Sequence, residues 1–267
     1  MLNPWIATIA VTDEKLPPQE TLLQEMRNVP GYGRPEFLCL DDLACMEDWY
    51  VFRTPNATLF VMLQPTDESF LSQDDLISAC RRAWHWPAAG QEISRMRLQV
   101  AVAVQPTDDT LDALDVALLT THLASAVMKH TDAVGIYWHA SGKIMQPADF
   151  IRKSEGTNRR TLPVDLWVDF RLEPHPHEQT ISFGTFGLER FSLPELEVPH
   201  CDRPPRWVLD WLFNLSHSVL ENGVELEHEQ TFGMSEEEKF YVTREPASPE
   251  MGRSGGNVLR VHFEEPG

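Results

Sequence analysis

Two histidines separated by one proline form a motif that could bind a metal ion. His175 and His177 lie between Glu173 and Glu178. In an extended strand, residues i and i+2 point to the same side, so both imidazoles could share one ion. No third ligand is identifiable nearby, and a surface loop whose histidines merely titrate explains the same motif. A metal-dependent hydrolase built on these two residues and His139 is therefore an alternative hypothesis.

Two further groups contain residue types that take part in catalysis or binding. His200 and Cys201 adjoin Asp202, which would place a thiol beside a base, but adjacent residues seldom direct their side chains at one point. A second group lies at the end of a predicted strand, where binding sites often form. Its members are Tyr137, Trp138, His139, Ser141 and Lys143. The favoured interpretations are a loop thiol for the first group and core packing for the second.

The segment 221–238 is the strongest acidic feature, because it contains no Lys or Arg. In a strand, Glu225, Glu227 and Glu229 would lie on one face and repel each other unless a basic partner relieved the repulsion. A solvated edge that resists aggregation is the other interpretation. We expect partner binding through the acidic residues of this segment and nearby aromatic side chains. These residues are Glu221, Glu225, Glu227, Glu229, Phe232, Glu236, Glu237, Glu238 and Trp207.

The overall charge excludes several classes of partner. The chain has 41 Asp and Glu against 22 Lys and Arg, which gives a net charge of −19. Phosphate-rich nucleic acids and anionic membranes both require a basic face, so a basic protein is the expected partner. The amino-terminal residues lack the pattern of a signal peptide, and no apolar run reaches the length of a membrane span. We therefore expect a cytoplasmic protein.

Recognisable catalytic or cofactor motifs are missing from the sequence. It has no G-x-S-x-G elbow, P-loop, dinucleotide-binding glycine turn or H-E-x-x-H. Its four cysteines do not have the spacing of a zinc site and are expected to be buried free thiols: Cys39, Cys45, Cys80 and Cys201. We expect no cofactor, no metal ion and no catalytic residue.

A repeated strand–turn–helix unit organises the first half of the chain. Thr58–Gln64 and Leu98–Gln105 are apolar strands, and each precedes a Pro-Thr-Asp turn. Helices are predicted to start near Ser72 and Leu111, and Ala133–Ala140 is a third strand. This order predicts an α+β fold with mixed or antiparallel sheets, helices packed on one face, and ferredoxin-like β-α-β elements in the N-terminal half.

Three segments are predicted along the chain: an N-terminal α+β half (1–151), a polar basic linker (152–161) and a C-terminal α+β half (162–267). The halves either pack together as one domain or fold separately. The second half is predicted to contain strands at Leu166–Leu172 and Thr180–Phe186 and a helix that Pro204 and Pro205 open and Asn222 and Gly223 end. Strands near 224–228, 240–243 and 258–263 complete it.

Several segments in a fixed order resemble a known family. They are Ala133–Gly142, Leu162–Leu172, Phe186–Phe191, Leu193–Val198 and Gln230–Met234. This order resembles the bacterial domain-of-unknown-function 4261 family over about residues 58–243, most clearly over 133–243. The resemblance implies no reaction, cofactor or catalytic residue. Some related sequences are associated with toxin and secretion gene neighbourhoods.

A non-enzymatic acidic binding protein is the function that these observations favour. An immunity protein that neutralises a cognate bacterial toxin by direct binding fits the acidic charge, the missing catalytic motifs and the resemblance. An adaptor or chaperone for a secreted effector is the first alternative. The metal-dependent hydrolase with His175 and His177 is the second. The oligomeric state stays open.

Overall fold

The computed structural model describes residues 4–29, 36–37, 48–65, 71–223, 226, 231–233, 239–253 and 255–263, with only the backbone described at 36–37, 231–233 and 239. The chain forms two compact units, Met1–Trp167 and Val168–Gly267. Both units combine helices with an antiparallel or mixed sheet, so the predicted α+β class is confirmed. Within the described residues, no helix is both long enough and apolar enough to cross a membrane.

The first unit is built on a seven-stranded antiparallel sheet with the order β2-β3-β4-β5-β1-β6-β7. Its strands are β1 (Trp5–Val11), β2 (Glu36–Phe37), β3 (Trp49–Arg53), β4 (Ala57–Pro65), β5 (Leu98–Pro106), β6 (Ala133–Trp138) and β7 (Lys143–Met145). Its helices are α1 (Gln19–Arg27), α2 (Gln73–Arg82), α3 (Ala89–Ile93), α4 (Ala113–Lys129), α5 (Pro147–Ser154) and α6 (Val164–Trp167).

The four central strands have the predicted ferredoxin-like arrangement. Their order in the sheet is β4-β5-β1-β6. Helix α1 lies in the connection from β1 to β4, which β5 separates, and α4 connects β5 to β6, which β1 separates. Helix α4 packs on β1 and β5. Most of its residues are buried, because apolar side chains extend around most of the helix and not along one stripe. The Ser72 hydroxyl accepts a hydrogen bond from the Asp75 N–H and caps α2, as the capping-box pattern predicts.

Helices α2 and α3 form a second helical layer. This layer covers the face of the sheet opposite to the one on which Ile9 of β1 is buried. Ala10 belongs to the apolar cluster of α2 and α3, whereas Ile9 points to the opposite face. Gly135 lies opposite Ala10 in the sheet. An added Cβ at Gly135 would lie 2.3 Å from Ile93 Cδ1, so this glycine permits the close approach of α3. Helices therefore cover both faces of this sheet, whereas the sequence predicted helices on one face only.

The second unit contains a six-stranded mixed sheet with the order β11-β12-β13-β10-β9-β8. Its strands are β8 (Asp169–His175), β9 (Thr180–Phe186), β10 (Leu196–Cys201), β11 (Thr231–Gly233), β12 (Lys239–Pro246) and β13 (Asn257–Phe263). Helix α7 (Pro205–Asn222) and the short 3-10 turns Leu188–Phe191 and Pro249–Met251 complete it. Strand β13 pairs parallel with β10 and antiparallel with β12.

Two segments near the boundary between the units differ from their predicted structure. The strand predicted to start at Leu166 starts at Asp169, because Leu166 and Trp167 belong to α6. The Trp167 Nε1–H donates to Thr121 Oγ1 at 2.8 Å and fixes α6 on α4. In the basic segment 152–161, the first three residues form the last turn of α5, and Arg159 pairs with Asp112 and Asp115. This segment belongs to the first compact unit.

Candidate metal centre in the C-terminal unit

The hairpin of β8 and β9 positions the first histidine of the site. His175 is the last residue of β8 and pairs with Thr180, the first residue of β9. The residues between them form a tight turn that ends with Gln179 in the left-handed region, at φ 57°. Ser182 follows two residues into β9, where its side chain is buried. The hairpin therefore places His175 and Ser182 on neighbouring strands at the same end of the sheet.

An irregularity in β10 positions the second histidine. The register between β9 and β10 shifts between Val198 and Cys201. His200 lies in this interval at φ 45°, a left-handed conformation that costs a non-glycine residue about 1–3 kcal/mol. The imidazole rings of His175 and His200 stack with their centroids 4.5 Å apart. The strained backbone thus brings together two histidines that are far apart in the sequence.

Glu250 supplies the third side chain of the cluster. Its carboxylate lies 3.9 Å from His175 Nε2 and 3.5 Å from His200 Nε2. One ligand atom from each of His175, His200 and Glu250 lies within 4.8 Å of the other two. Three donor atoms at this spacing can converge on one ion after small side-chain movements, because metal–ligand bonds to these groups are about 2.0–2.2 Å long.

The hydroxyl of Ser182 joins the three side chains. Ser182 Oγ donates to Glu250 Oε1 at 2.9 Å and accepts the backbone N–H of His200 at 3.0 Å. It also lies 2.9 Å from His175 Nε2. Since the serine proton is directed at Glu250, His175 Nε2 donates in the third bond. A metal ion at Nε2 would take the place of this proton, which the neutral ring can carry on Nδ1 instead.

Glu178 orients His200 from outside the cluster. Its carboxylate accepts a hydrogen bond from His200 Nδ1 at 2.7 Å. In the neutral ring this bond keeps the proton on Nδ1, so that Nε2, which faces Glu250, is the nitrogen available to an ion. Histidines that bind metals usually donate their second ring N–H to a carboxylate or carbonyl in this way. The arrangement around His200 therefore has both the ligand atom and the orienting partner of a metal-binding histidine.

A buried ionic network holds the turn that carries Glu250. Glu197 in β10 accepts hydrogen bonds from Arg253 Nη1 at 2.7 Å and from the Ser248 N–H at 3.1 Å. Ser248 immediately precedes the 3-10 turn and Arg253 follows it, so Glu197 fixes both ends. Glu195, two residues earlier, accepts from the Gly187 N–H at 2.6 Å and from Thr185 Oγ1 at 2.7 Å. Burial raises the pKa of the Glu195 carboxyl.

The histidine pair that the sequence suggests is only half present in the cluster. His177 lies exposed in the hairpin turn and does not belong to it. Alternation along an extended strand does not apply there, because β8 ends at His175. His139 belongs to the first unit, where its Nε2 lies 2.8 Å from Thr8 Oγ1. The ligands that sequence reasoning missed are His200 and Glu250, which only the fold brings close to His175.

The proposed pairing of Cys201 with His200 has no support in the geometry. His200 bonds to Glu178 and faces Glu250, and burial raises the pKa of the Cys201 thiol. A raised pKa disfavours the thiolate that a nucleophile requires. Cys201 and Cys80 are free cysteines, whereas Cys39 and Cys45 lie outside the described residues.

The predicted partner-binding residues are described only in part. Trp207 lies in the first turn of α7 and packs edge-on against Phe263 at 4.7 Å. Glu221 is exposed near the end of the same helix, about 21 Å away at 1.5 Å per residue. For Phe232 only the backbone in β11 is described. The remaining predicted residues lie outside the described part of the chain: Glu225, Glu227, Glu229, Glu236, Glu237 and Glu238.

The fold and the site define a two-unit α+β protein whose C-terminal unit carries a histidine–glutamate cluster. Residues 184–260 match the family described as "Domain of unknown function (DUF4261)". This match confirms the predicted resemblance to the uncharacterised family over part of the C-terminal unit, and the matched range begins later and ends later than predicted. It includes His200 and Glu250 but not His175. No curated protein matches the chain, and no solved structure matches it.

Proposed function

We propose that the C-terminal unit binds a divalent transition-metal ion through His175, His200 and Glu250. The observation that carries this proposal is the convergence of the three ligand atoms within 4.8 Å. The Glu178 carboxylate on His200 Nδ1 supports it independently, since it orients the ring and leaves Nε2 for the ion.

Zinc is the ion that this ligand set fits best. Two imidazoles and one carboxylate form the protein ligands of many catalytic zinc sites, which keep a fourth position for water or substrate. The side chain of His200 is 46% exposed, so solvent can reach the cluster. An ion held here would lower the pKa of a bound water and make hydrolysis possible. For the activity we therefore propose the metal-dependent hydrolase, which the sequence offered only as an alternative to a protein without a metal ion, with His200 and Glu250 in place of His177 and His139.

Metal stoichiometry tests the proposal directly. The full chain is stripped with a chelator, reloaded with zinc, and titrated against a chromophoric chelator. We expect one equivalent of zinc per chain, and we expect His175→Ala and Glu250→Gln to weaken binding more than about 100-fold, since each removes a ligand. The exposed His177→Ala is the matched control and should bind as the wild type does. Binding that is absent in the wild type, or that His175→Ala leaves unchanged, contradicts the proposal.

Binding of a basic protein is the second candidate function. It is supported by the net charge of −19 and by the segment 221–238, which has no basic residue. In this proposal Trp207 and Glu221 mark two ends of one contact surface along α7, and the surrounding carboxylates speed encounter and select the partner. An immunity protein bound to a basic toxin is the form we favour, and an effector adaptor is the alternative.

Charge reversal tests this second function. The variant Glu225→Lys/Glu227→Lys/Glu229→Lys is compared with the wild type in affinity capture from the source cells, at low and high salt. We expect the wild type to retain a basic protein at low salt and the variant to lose that same protein. Reversal of three exposed acids elsewhere, Asp108, Asp109 and Glu14, is the control for net charge. Equal capture by all three proteins contradicts the acidic contact surface.

A further inference from the structure

A cleft in the first unit lies between α2, α3 and the start of β5. Its volume is about 720 Å³, within the range of about 300–1,000 Å³ that is typical of small-molecule sites. Most of its walls are apolar. The main apolar lining residues are Leu71, Leu76, Ile77, Cys80, Ile93 and Met96.

The apolar wall of α2 is incompletely covered. Leu76 and Ala79 are buried in the core, but Ile77 lies on the cleft with 42% of its surface exposed. Exposed apolar surface inside a concave site commonly marks a place where an apolar ligand binds. Cys80 follows on the same wall, where burial raises the pKa of its thiol, so the side chain stays neutral and apolar.

One cation lies at the cleft without a described counter-charge. Arg81 is exposed, and no described carboxylate lies within 4.0 Å of its guanidinium. Most other arginines of the first unit do have such a partner. They are Arg27, Arg95, Arg97, Arg152 and Arg159. In a chain with a net charge of −19, a guanidinium left beside an apolar cleft is suited to bind an anionic group of a ligand.

We propose that this cleft binds a small anionic amphiphile, with the apolar body between α2 and α3 and a carboxylate or phosphate head on Arg81. The volume, the apolar walls and the single cation all fit that chemistry. The proposal is independent of the metal site, because every residue that it uses belongs to the first unit.

Gly90 offers a way to block the cleft without disturbing its walls. It lines the cleft, and an added Cβ would meet no atom within 4 Å. A large side chain at this position therefore occupies the space of the ligand. Gly90→Phe is the blocking variant, and Gly90→Ala is its control, because one methyl group leaves most of the cleft open.

Calorimetric titration of the full chain with decanoate, decyl phosphate and decanol, all below their micelle concentrations, tests the proposal. We expect saturable 1:1 binding, with the anions bound about threefold to fivefold more tightly than the alcohol, as one exposed ion pair allows. Arg81→Gln should abolish that preference, and the control Arg27→Gln should keep it. Gly90→Phe should abolish binding, and Gly90→Ala should retain it. A preference for decyl phosphate assigns a lipid headgroup, and a preference for decanoate assigns a fatty carboxylate.

A readout that needs no variant comes from Cys80. Bound decanoate should slow alkylation of Cys80 and leave Cys201 of the second unit unchanged, as peptide mass spectrometry can measure. Absence of saturable binding, equal binding of decanol and the anions, or equal protection of both thiols would overturn the proposal.

Discussion

Arg253 donates to the Glu197 carboxylate at 2.7 Å, and the two side chains are only 7% and 1% exposed. Arg253 also bonds to the Thr185 carbonyl, and its guanidinium lies 4.3 Å from the centre of the Phe186 ring. The pair therefore connects the segment after the Glu250 turn to β9 and β10. Little water reaches the pair, so each charge depends on the other for compensation.

Removal of one member of this pair should destabilise the C-terminal unit strongly. We expect Arg253→Met to lower the free energy of unfolding by about 3–5 kcal/mol, because it leaves the Glu197 carboxylate buried without a cation. The double variant Arg253→Met/Glu197→Leu should lose less than the single one. Chemical denaturation measures both. The exposed pair of Arg152 and Asp149 provides the control, and Arg152→Met should change stability by less than about 0.5 kcal/mol. A loss of that small size for Arg253→Met would show that the pair contributes little.

The carboxylate of Glu178 should matter for metal affinity although it is not a ligand. We expect Glu178→Gln to weaken zinc binding about 10- to 100-fold, because the hydrogen bond to His200 Nδ1 loses its charged acceptor. Chelator competition measures the affinity. Glu173→Gln, which removes a carboxylate from the neighbouring strand β8, should leave the zinc affinity unchanged. An equal effect of both variants would indicate a general loss of negative charge and not orientation of His200.

Metal affinity should also fall in acid. A histidine must be unprotonated at the nitrogen that coordinates an ion, so protons compete with the metal for both imidazoles. We expect the apparent zinc affinity to decrease as the pH is lowered from 7.5 to 5.5. Competition with a chelator at each pH, corrected for the protonation of the chelator itself, provides the measurement. A zinc affinity that stays constant across this range would contradict coordination by the two histidines.

Gly135 in β6, which faces α3, and Gly90 within α3 form a matched pair of glycines. Gly135→Ala should destabilise the first unit by about 1–3 kcal/mol, because the new methyl group would lie 2.3 Å from Ile93 Cδ1 and displace α3. Gly90→Ala meets no atom and lies within α3, so it should stabilise by about 0.5–1 kcal/mol. Thermal unfolding of the two variants compares them. Equal effects would mean that α3 adjusts freely to added volume.

His139 should make the stability of the first unit depend on pH. Burial lowers the pKa of His139 to about 4, although Asp75 acts in the opposite direction. An unfolded histidine has a pKa of about 6.5, so the unfolded chain binds more protons between these values. The contribution of the neutral ring is therefore complete above about pH 6.5 and is lost as the pH falls towards 4, by at most roughly 3 kcal/mol. The wild type should lose more stability across this range than His139→Gln does. Parallel curves would contradict the lowered pKa.

Much of the fold could be predicted from local patterns. Strand β9 and helix α7 have their predicted ends, since apolar periodicity, a proline start and a glycine end mark them. Strand β10 was missed because Glu197 interrupts its apolar pattern. This buried acid is tolerated inside the sheet because Arg253, which is distant in the sequence, pairs with it. A pattern of neighbouring residues contains no information about such a partner.

The candidate site was predicted less well, for a similar reason. The motif around His175 drew attention to His177 because the two are close in sequence, but the end of β8 directs them apart. His200 was seen only as a neighbour of Cys201, since nothing in the sequence signals the β-bulge that turns it toward His175. Glu250 lies between the predicted strands near 240–243 and 258–263, and only the packing of its 3-10 turn against β9 brings it to the site.

The position of β13 between β12 and β10 constrains how the C-terminal unit folds. Without this strand, the sheet would separate into the β11–β12 hairpin and the β8–β9–β10 meander. The parallel pairing of β13 with β10 spans α7, β11 and β12, so it closes a long loop and forms slowly compared with a hairpin. Until it forms, both inner edges stay open to pairing with other chains, which exposes this unit to aggregation during refolding.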